Sequence, residues 1–190
     1  MRSYLSLIAL ALTLQSCSDH DIEDPKVTLP KEYEACCGVQ PVDFKMGSES
    51  IYVPNAFTPN GDGINDLFYP HVSEGVVDAE GFTITSAEGD TLLFHRLVFI
   101  WDRLDEFAWN GKRPDGSVYR GRFKYNMIIA GREKNQSRLL SGEACSILCE
   151  PGTKELIAKN TCFYPSQAGK NDKLGQLDVN LASNEKGCAK

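Results

Sequence analysis

Residues 122–129 constrain the fold more than any other part of the chain. Phe123, Tyr125, Met127 and Ile129 take every second position, and Arg122, Lys124, Asn126 and Ile128 stand between them. This period places the large apolar groups on one face of a β-strand, whereas a helix would scatter them around its axis. A lone strand cannot cover that face, so the chain must supply further strands and an opposing layer.

Other segments provide them. Ile51, Tyr52 and Val53 form a short apolar run ended by Pro54 and Asn55. Phe82 and Ile84 alternate with Thr83 and Thr85, and Ala87, Glu88, Gly89 and Asp90 turn the chain into Leu92, Leu93 and Phe94, which predicts a hairpin. Leu97, Val98, Phe99, Ile100 and Trp101 make the most continuous apolar run outside the N-terminal segment and predict a buried strand. Asn110–Gly111 and Pro114, Asp115, Gly116 are turn signals, and a further strand is expected over residues 138–147. Residues 155–159 hold the one helical turn expected after the N-terminal segment. Many short strands with little helix predict an all-β chain folded as a β-sandwich.

The cysteines add a second constraint. Apart from Cys17, the chain has Cys36, Cys37, Cys145, Cys149, Cys162 and Cys188. An even set reads as a disulfide framework, and hence as a chain that matures in an oxidising compartment. Six cysteines allow about 15 connectivities, and sequence alone selects none. Neighbours such as Cys36 and Cys37 rarely bridge each other, because a trans peptide holds their Cα atoms about 3.8 Å apart, short of the usual disulfide separation. They are expected to reach the segment of Cys145 and Cys149, with Cys162 closing a loop to Cys188. Zinc is the rival reading, but no paired C-x-x-C motifs occur, and the histidines stand apart at 20, 71 and 95.

The first residues agree with export. Met1 and Arg2 precede an apolar stretch, residues 5–14, that is too short to span a bilayer, as in a signal peptide. Leu14, Gln15, Ser16 and Cys17 resemble a bacterial lipobox, which implies cleavage before Cys17 and attachment of diacylglycerol and a palmitate-type acyl chain to it. Ser18, Asp19, His20, Asp21, Ile22, Glu23 and Asp24 then read as an acidic, solvated leash. They resemble the signal that carries Bacteroidetes lipoproteins to the outer leaflet of the outer membrane. The expected organisation is a signal peptide at 1–16, a tether at 17–34, a β domain at 35–149 and a cysteine-bounded C-terminal extension at 150–190. The net charge of −6 and the lack of a long basic run argue against a nucleic-acid partner.

Ile51, Tyr52, Val53, Pro54, Asn55, Ala56, Phe57, Thr58, Pro59, Asn60, Gly61, Asp62, Gly63, Ile64, Asn65, Asp66, Leu67 and Phe68 resemble the opening of the gliding motility-associated C-terminal domain of Bacteroidetes surface proteins. Phe82, Thr83, Ile84 and residues 89–94 are similar to its middle hairpin, and Trp109, Asn110, Gly111, Asp115, Gly116, Val118, Tyr119, Phe123 and Tyr125 to its last strands. The resemblance implies an immunoglobulin-like β-sandwich, here with a disulfide-held C-terminal extension. It also implies a link to type IX secretion or to gliding machinery. Trp101 lies in an insertion relative to that family, and residues 145–190 continue past its usual end.

Candidate site residues follow from these readings. Asn60, Asp62, Ile64 and Asp66 stand at alternate positions of a Gly-rich loop, as in a calcium loop, although His71 occupies the place of the usual bidentate Glu. The alternative is a loop closed by Asx side chains bonding to their own backbone, with no cofactor. Trp101, with Phe99 and Arg103, is a candidate exposed platform for a glycan or a surface protein; core packing is the other reading. No G-x-S-x-G, H-E-x-x-H or P-loop motif occurs. The leading expectation is a non-enzymatic cell-surface lipoprotein, a binding or structural module of the outer membrane with no readable oligomeric state. One alternative is an accessory component of type IX secretion or gliding. The other is a glycan-processing accessory enzyme using paired carboxylates such as Asp102, Asp105 and Glu106.

Overall fold

The computed structural model describes residues 28–132 and 136–185. Cys17, the acidic leash and Cys188 lie outside them. In chain order the strands are β1 (Val42–Met46), β2 (Glu49–Val53), β3 (Ala56–Phe57), β4 (His71–Val72), β5 (Val76–Ser86), β6 (Leu92–Val98), β7 (Gly121–Gly131) and β8 (Ser137–Ser146). Two short helices, α1 (Leu104–Phe107) and α2 (Lys154–Ile157), lie between or after them. Two sheets form, a three-stranded one in the order β1-β2-β4 and a five-stranded one in the order β3-β8-β7-β5-β6. β3 runs parallel to β8, and the remaining pairs are antiparallel.

The alternating strand is β7, at the centre of the larger sheet. Its Phe123, Tyr125, Met127 and Ile129 share one core with Phe82 and Ile84 of β5 and with Ile51 and Val53 of β2. Phe57, Phe68 and Trp109 complete that core, and the Phe123 ring meets those of Phe68 and Trp109 edge-on at 4.8 Å. Edge-to-face contact of this kind adds to the roughly 1.5–3 kcal/mol that full burial of each such side chain contributes. Trp109 satisfies its one polar group by donating Nε1–H to the Lys112 carbonyl at 2.8 Å.

Two features differ from expectation in the strands. β1 was not anticipated, because Val42, Asp43, Phe44, Lys45 and Met46 gain their structure by pairing with β2. Leu97 and Val98, expected in a buried strand, end β6 at the open edge of the larger sheet and are 76% and 55% exposed. An unbroken apolar run does not tell an edge strand from a central one.

The disulfides also differ in part. Cys36 is bonded to Cys145, in the expected segment, but Cys37 is bonded to Cys162. The expected bridge from Cys162 to Cys188 is therefore overturned, and Cys149 is disulfide-bonded as well. Cys36, Cys37, Cys145 and Cys162 sit in a second core with Tyr33, Ile147, Leu156, Ile157 and Tyr164. The extension is bound to the body by polar contacts too. Asn55 donates Nδ2–H to the carbonyls of Val39 and Thr161 and accepts from the Phe163 amide, so one buried side chain joins three segments. Tyr52 donates its hydroxyl to the Tyr164 carbonyl at 3.0 Å.

These contacts also show where the chain enters the fold. Gly121, at φ +86°, opens β7 under the Glu32 carbonyl, and Gly152, at φ +90°, lies against the Thr28 carbonyl; a Cβ at either would meet that oxygen at 2.6 or 2.4 Å. The N-terminal end of the described chain thus packs at the Gly121 end of β7.

Candidate functional site

The 60–66 loop is closed by its own side chains. Asp66 accepts the amides of Gly61 on Oδ1 and Gly63 on Oδ2, both at 2.6 Å. Asp62 Oδ1 accepts the Ile64 amide at 2.9 Å, and Asn60 Oδ1 accepts the Asp62 amide at 3.0 Å. Asn65 takes a left-handed φ of +52°, which a short polar side chain tolerates. Beneath the loop, the buried Glu185 carboxylate accepts from the Thr58 hydroxyl and the Asn65 amide group, while burial raises its pKa. Asn60, Asp62 and Asp66 thus lie together, with oxygens engaged by backbone amides, while Ile64 contributes an exposed side chain. Among the described residues, no group of three or more His, Cys, Asp or Glu is arranged to hold a metal ion.

The second candidate, Phe99 with Trp101 and Arg103, is not a continuous aromatic surface. Phe99 belongs to the core and is 5% exposed. Trp101 stands edge-on to it at 5.2 Å and donates Nε1–H to the Pro70 carbonyl, so the indole lies half-buried across the end of the core. Arg103 is exposed, pairs with Glu106 and sits over the Phe107 ring at 5.5 Å. The segment from Phe99 to Phe107 therefore works as a lid, and α1 carries Phe107 to the same cover. Asp102 and Asp105 lie on this lid, where Glu106 is held below the usual carboxylate range by Arg103.

What the sequence reading missed is on the outer face of the larger sheet. Leu139 of β8, Ile128 of β7, Glu80 of β5 and Val98 of β6 are successive cross-strand partners. Cross-strand partners point to the same face at about 4.8 Å per strand, so these four make one transverse row. Leu139, Ile128 and Val98 are 63%, 43% and 55% exposed, and Leu97, which precedes Val98 in β6, is 76% exposed. The next row, Ser141, Asn126, Thr83 and His95, is polar, and His95 Nδ1 lies 3.0 Å from the Thr83 hydroxyl. Three of the four members of the first row are therefore exposed apolar side chains, with the exposed Glu80 between Ile128 and Val98. One signal for it was legible: Ile128 breaks an otherwise polar register.

No family model, curated protein or solved structure matches the chain. The likeness to the gliding motility-associated domain stands on the residues quoted above.

Two further polar features stand among the described residues. A cleft of about 510 Å³ is lined by Lys45, Glu49, Ser73, Asp172 and Gln176, and Glu49 is held below its ordinary pKa by hydroxyl donation from Ser73 and Ser48. His71 stacks on Tyr52 at 5.7 Å and meets the tilted Tyr69 ring at 4.4 Å, with Nε2 buried and unpartnered. Burial lowers its pKa to about 4, so it is neutral at physiological pH. No described helix is long and apolar enough to cross a membrane.

Proposed function

We propose that this protein is an exported, lipid-anchored binding module, an immunoglobulin-like sandwich that displays an apolar face to another component of the cell surface. The observation that carries the reading is the placement of the exposed Leu139, Ile128 and Val98 in one transverse row. Ile128 lies seven positions along β7 from Gly121, the end where the chain enters, which at about 3.4 Å per residue is roughly 24 Å. A chain held by lipid on Cys17 would enter at the Gly121 end of β7, so the row begins roughly 24 Å along the strand from the point of entry. Exposed apolar groups concentrated on one face, beside polar rows, mark interaction surfaces in soluble domains. The bridges from Cys36 and Cys37 support the same reading, since they suit an oxidising exterior and lock the start of the domain, β8 and the extension into one body.

The test is site-specific photo-crosslinking in the native envelope. A photoreactive residue at Leu139 or Ile128 is expected to give a discrete adduct, and one at Lys154, near the point of entry, none. Cys17→Ser is expected to release the protein from membranes and to reduce the adduct. Equal labelling from Lys154 and Leu139 defeats the assignment of the face.

A further inference from the structure

β6 is an edge strand of unusual composition. Its sequence, Leu92, Leu93, Phe94, His95, Arg96, Leu97, Val98, contains no Pro, Lys, Asp or Glu, and its one charged residue, Arg96, is folded back over Phe94 with its guanidinium donating to the His95 and Glu106 carbonyls. Sheet edges are ordinarily protected against pairing with another chain by such residues, by shortness or by a cover. The other described edges follow that rule. β1 carries Asp43 and Lys45, β4 has two residues, and β3 has two residues with the Ala56 amide taken by the Phe163 carbonyl. β6 has a register irregularity against β5 near its start, but its remaining length is regular.

The strand is also nearly symmetric about its middle. Counting outward from His95, Phe94 stands opposite Arg96, Leu93 opposite Leu97 and Leu92 opposite Val98. Antiparallel pairing of a strand with its own copy matches residues in this way, because a two-fold interface is self-complementary. We propose that β6 pairs with β6 of a second copy about a two-fold axis at His95, joining the two larger sheets edge to edge.

The contacts this creates join exposed or half-buried residues of the two edges. Leu92 and Val98 are both 55% exposed and would cover one another across the axis. Arg96 already lies 4.5 Å over the Phe94 ring within one chain, and pairing sets it beside the Phe94 of the second copy, an equivalent cation–π partner. The row of Leu139, Ile128, Glu80 and Val98 ends at this edge, and pairing would set its Val98 against Leu92 of the second copy, whose own row runs on through Thr85 and Lys124. One seven-residue edge buries less than the roughly 800 Å² per partner of a standard stable interface, so pairing should be weak in dilute solution. Confinement of both copies on one membrane raises their effective concentration and favours it. This assignment of the partner rests on the proposed binding face.

The test uses the full chain in vesicles, with cysteine substitutions read by non-reducing electrophoresis and peptide mapping. Directly opposed residues in an antiparallel pair have Cα atoms about 4.5–5.5 Å apart, within disulfide reach. His95→Cys is expected to crosslink to itself at least tenfold faster than Glu88→Cys in the exposed hairpin turn. Mixed Leu92→Cys and Val98→Cys chains should crosslink as heterodimers, faster than either alone. Leu97→Lys with Val98→Lys in the His95→Cys background should slow the reaction at least tenfold. Equal rates at 95 and 88, or a rate unchanged by the lysines, overturns the pairing. Adducts from Leu139 or Ile128 to a different protein, without β6 crosslinks, would leave the binding face standing and remove the self-pairing; absence of both would remove both.

Discussion

The two mapped disulfides share neighbouring cysteines, and this makes their contributions non-additive in a way that can be calculated. Cys36–Cys145 alone closes a loop of sequence separation 109, and Cys37–Cys162 alone one of 125. In the chain-entropy picture either loop, formed alone, contributes about 4.8 kcal/mol. Once one bridge is present the other closes a much smaller ring, running from Cys145 to Cys162 and back through the Cys36–Cys37 peptide, about 18 residues. Its increment is roughly 3.2 kcal/mol. Removing either bridge by Cys→Ala pairs should therefore cost about 3 kcal/mol, and removing both about 8, roughly 1.6 more than the sum of the separate losses. The local packing lost at the buried sulfurs cancels in this cycle to first order, because each pair is removed once on each side. Urea unfolding followed by tryptophan fluorescence measures all four corners, with the Cys149 bridge kept throughout. Since single domains are stable by about 5–15 kcal/mol, the double variant sits near the limit of folding, and the single variants then decide. Losses near 5 kcal/mol for each single removal, as for independent long loops, would refute the reasoning.

Three further outcomes follow from the geometry. His71 has a folded pKa of about 4, below the ordinary value of 6.5, so protons favour the unfolded chain; its contribution is intact above pH 6.5, declines as pH falls from there, and is reduced by roughly 3 kcal/mol at pH 4. Urea midpoints of the wild type and His71→Phe should therefore converge or cross on acidification, and parallel pH profiles would contradict this. Asp66→Ala removes the acceptor of two amide bonds and should cost about 2 kcal/mol, while millimolar calcium should leave the wild-type melting temperature unchanged; a rise of several degrees that Asp62→Asn abolishes would return the loop to a metal site. Gly175→Ala places a Cβ 2.2 Å from the Ser50 carbonyl oxygen at φ +71° and should loosen the extension, seen as faster amide exchange over residues 164–181, whereas Gly116→Ala at φ +85°, with open space around it, should cost only the backbone strain of about 1–2 kcal/mol.

The parts of this molecule that could be read in advance are those set by neighbours in sequence. β7 announced itself because Phe123, Tyr125, Met127 and Ile129 repeat at the strand period, and the β5–β6 hairpin because Glu88, Gly89 and Asp90 turn two such runs together. For the 60–66 loop the sequence left two readings open, calcium or Asx closure, and the Asx bonds are local because these side chains reach amides two or three residues away. What was not legible depends on contacts made across the fold. Cys162 has the same local surroundings whether it meets Cys37 or Cys188, and Asn55 shows its role only when residues 39, 161 and 163 arrive beside it. The apolar run of residues 97–101 shows the limit most clearly. Phe99 turns into the core under Trp101, while Leu97 and Val98, two and one positions earlier, face solvent at the edge of the sheet, where among the described residues no strand follows β6. Local pattern reports that a segment is apolar; strand order decides which of its residues are covered by the chain itself and which are left for another. The same order that hid this edge from the sequence reading makes it the surface where a partner can add to the sheet.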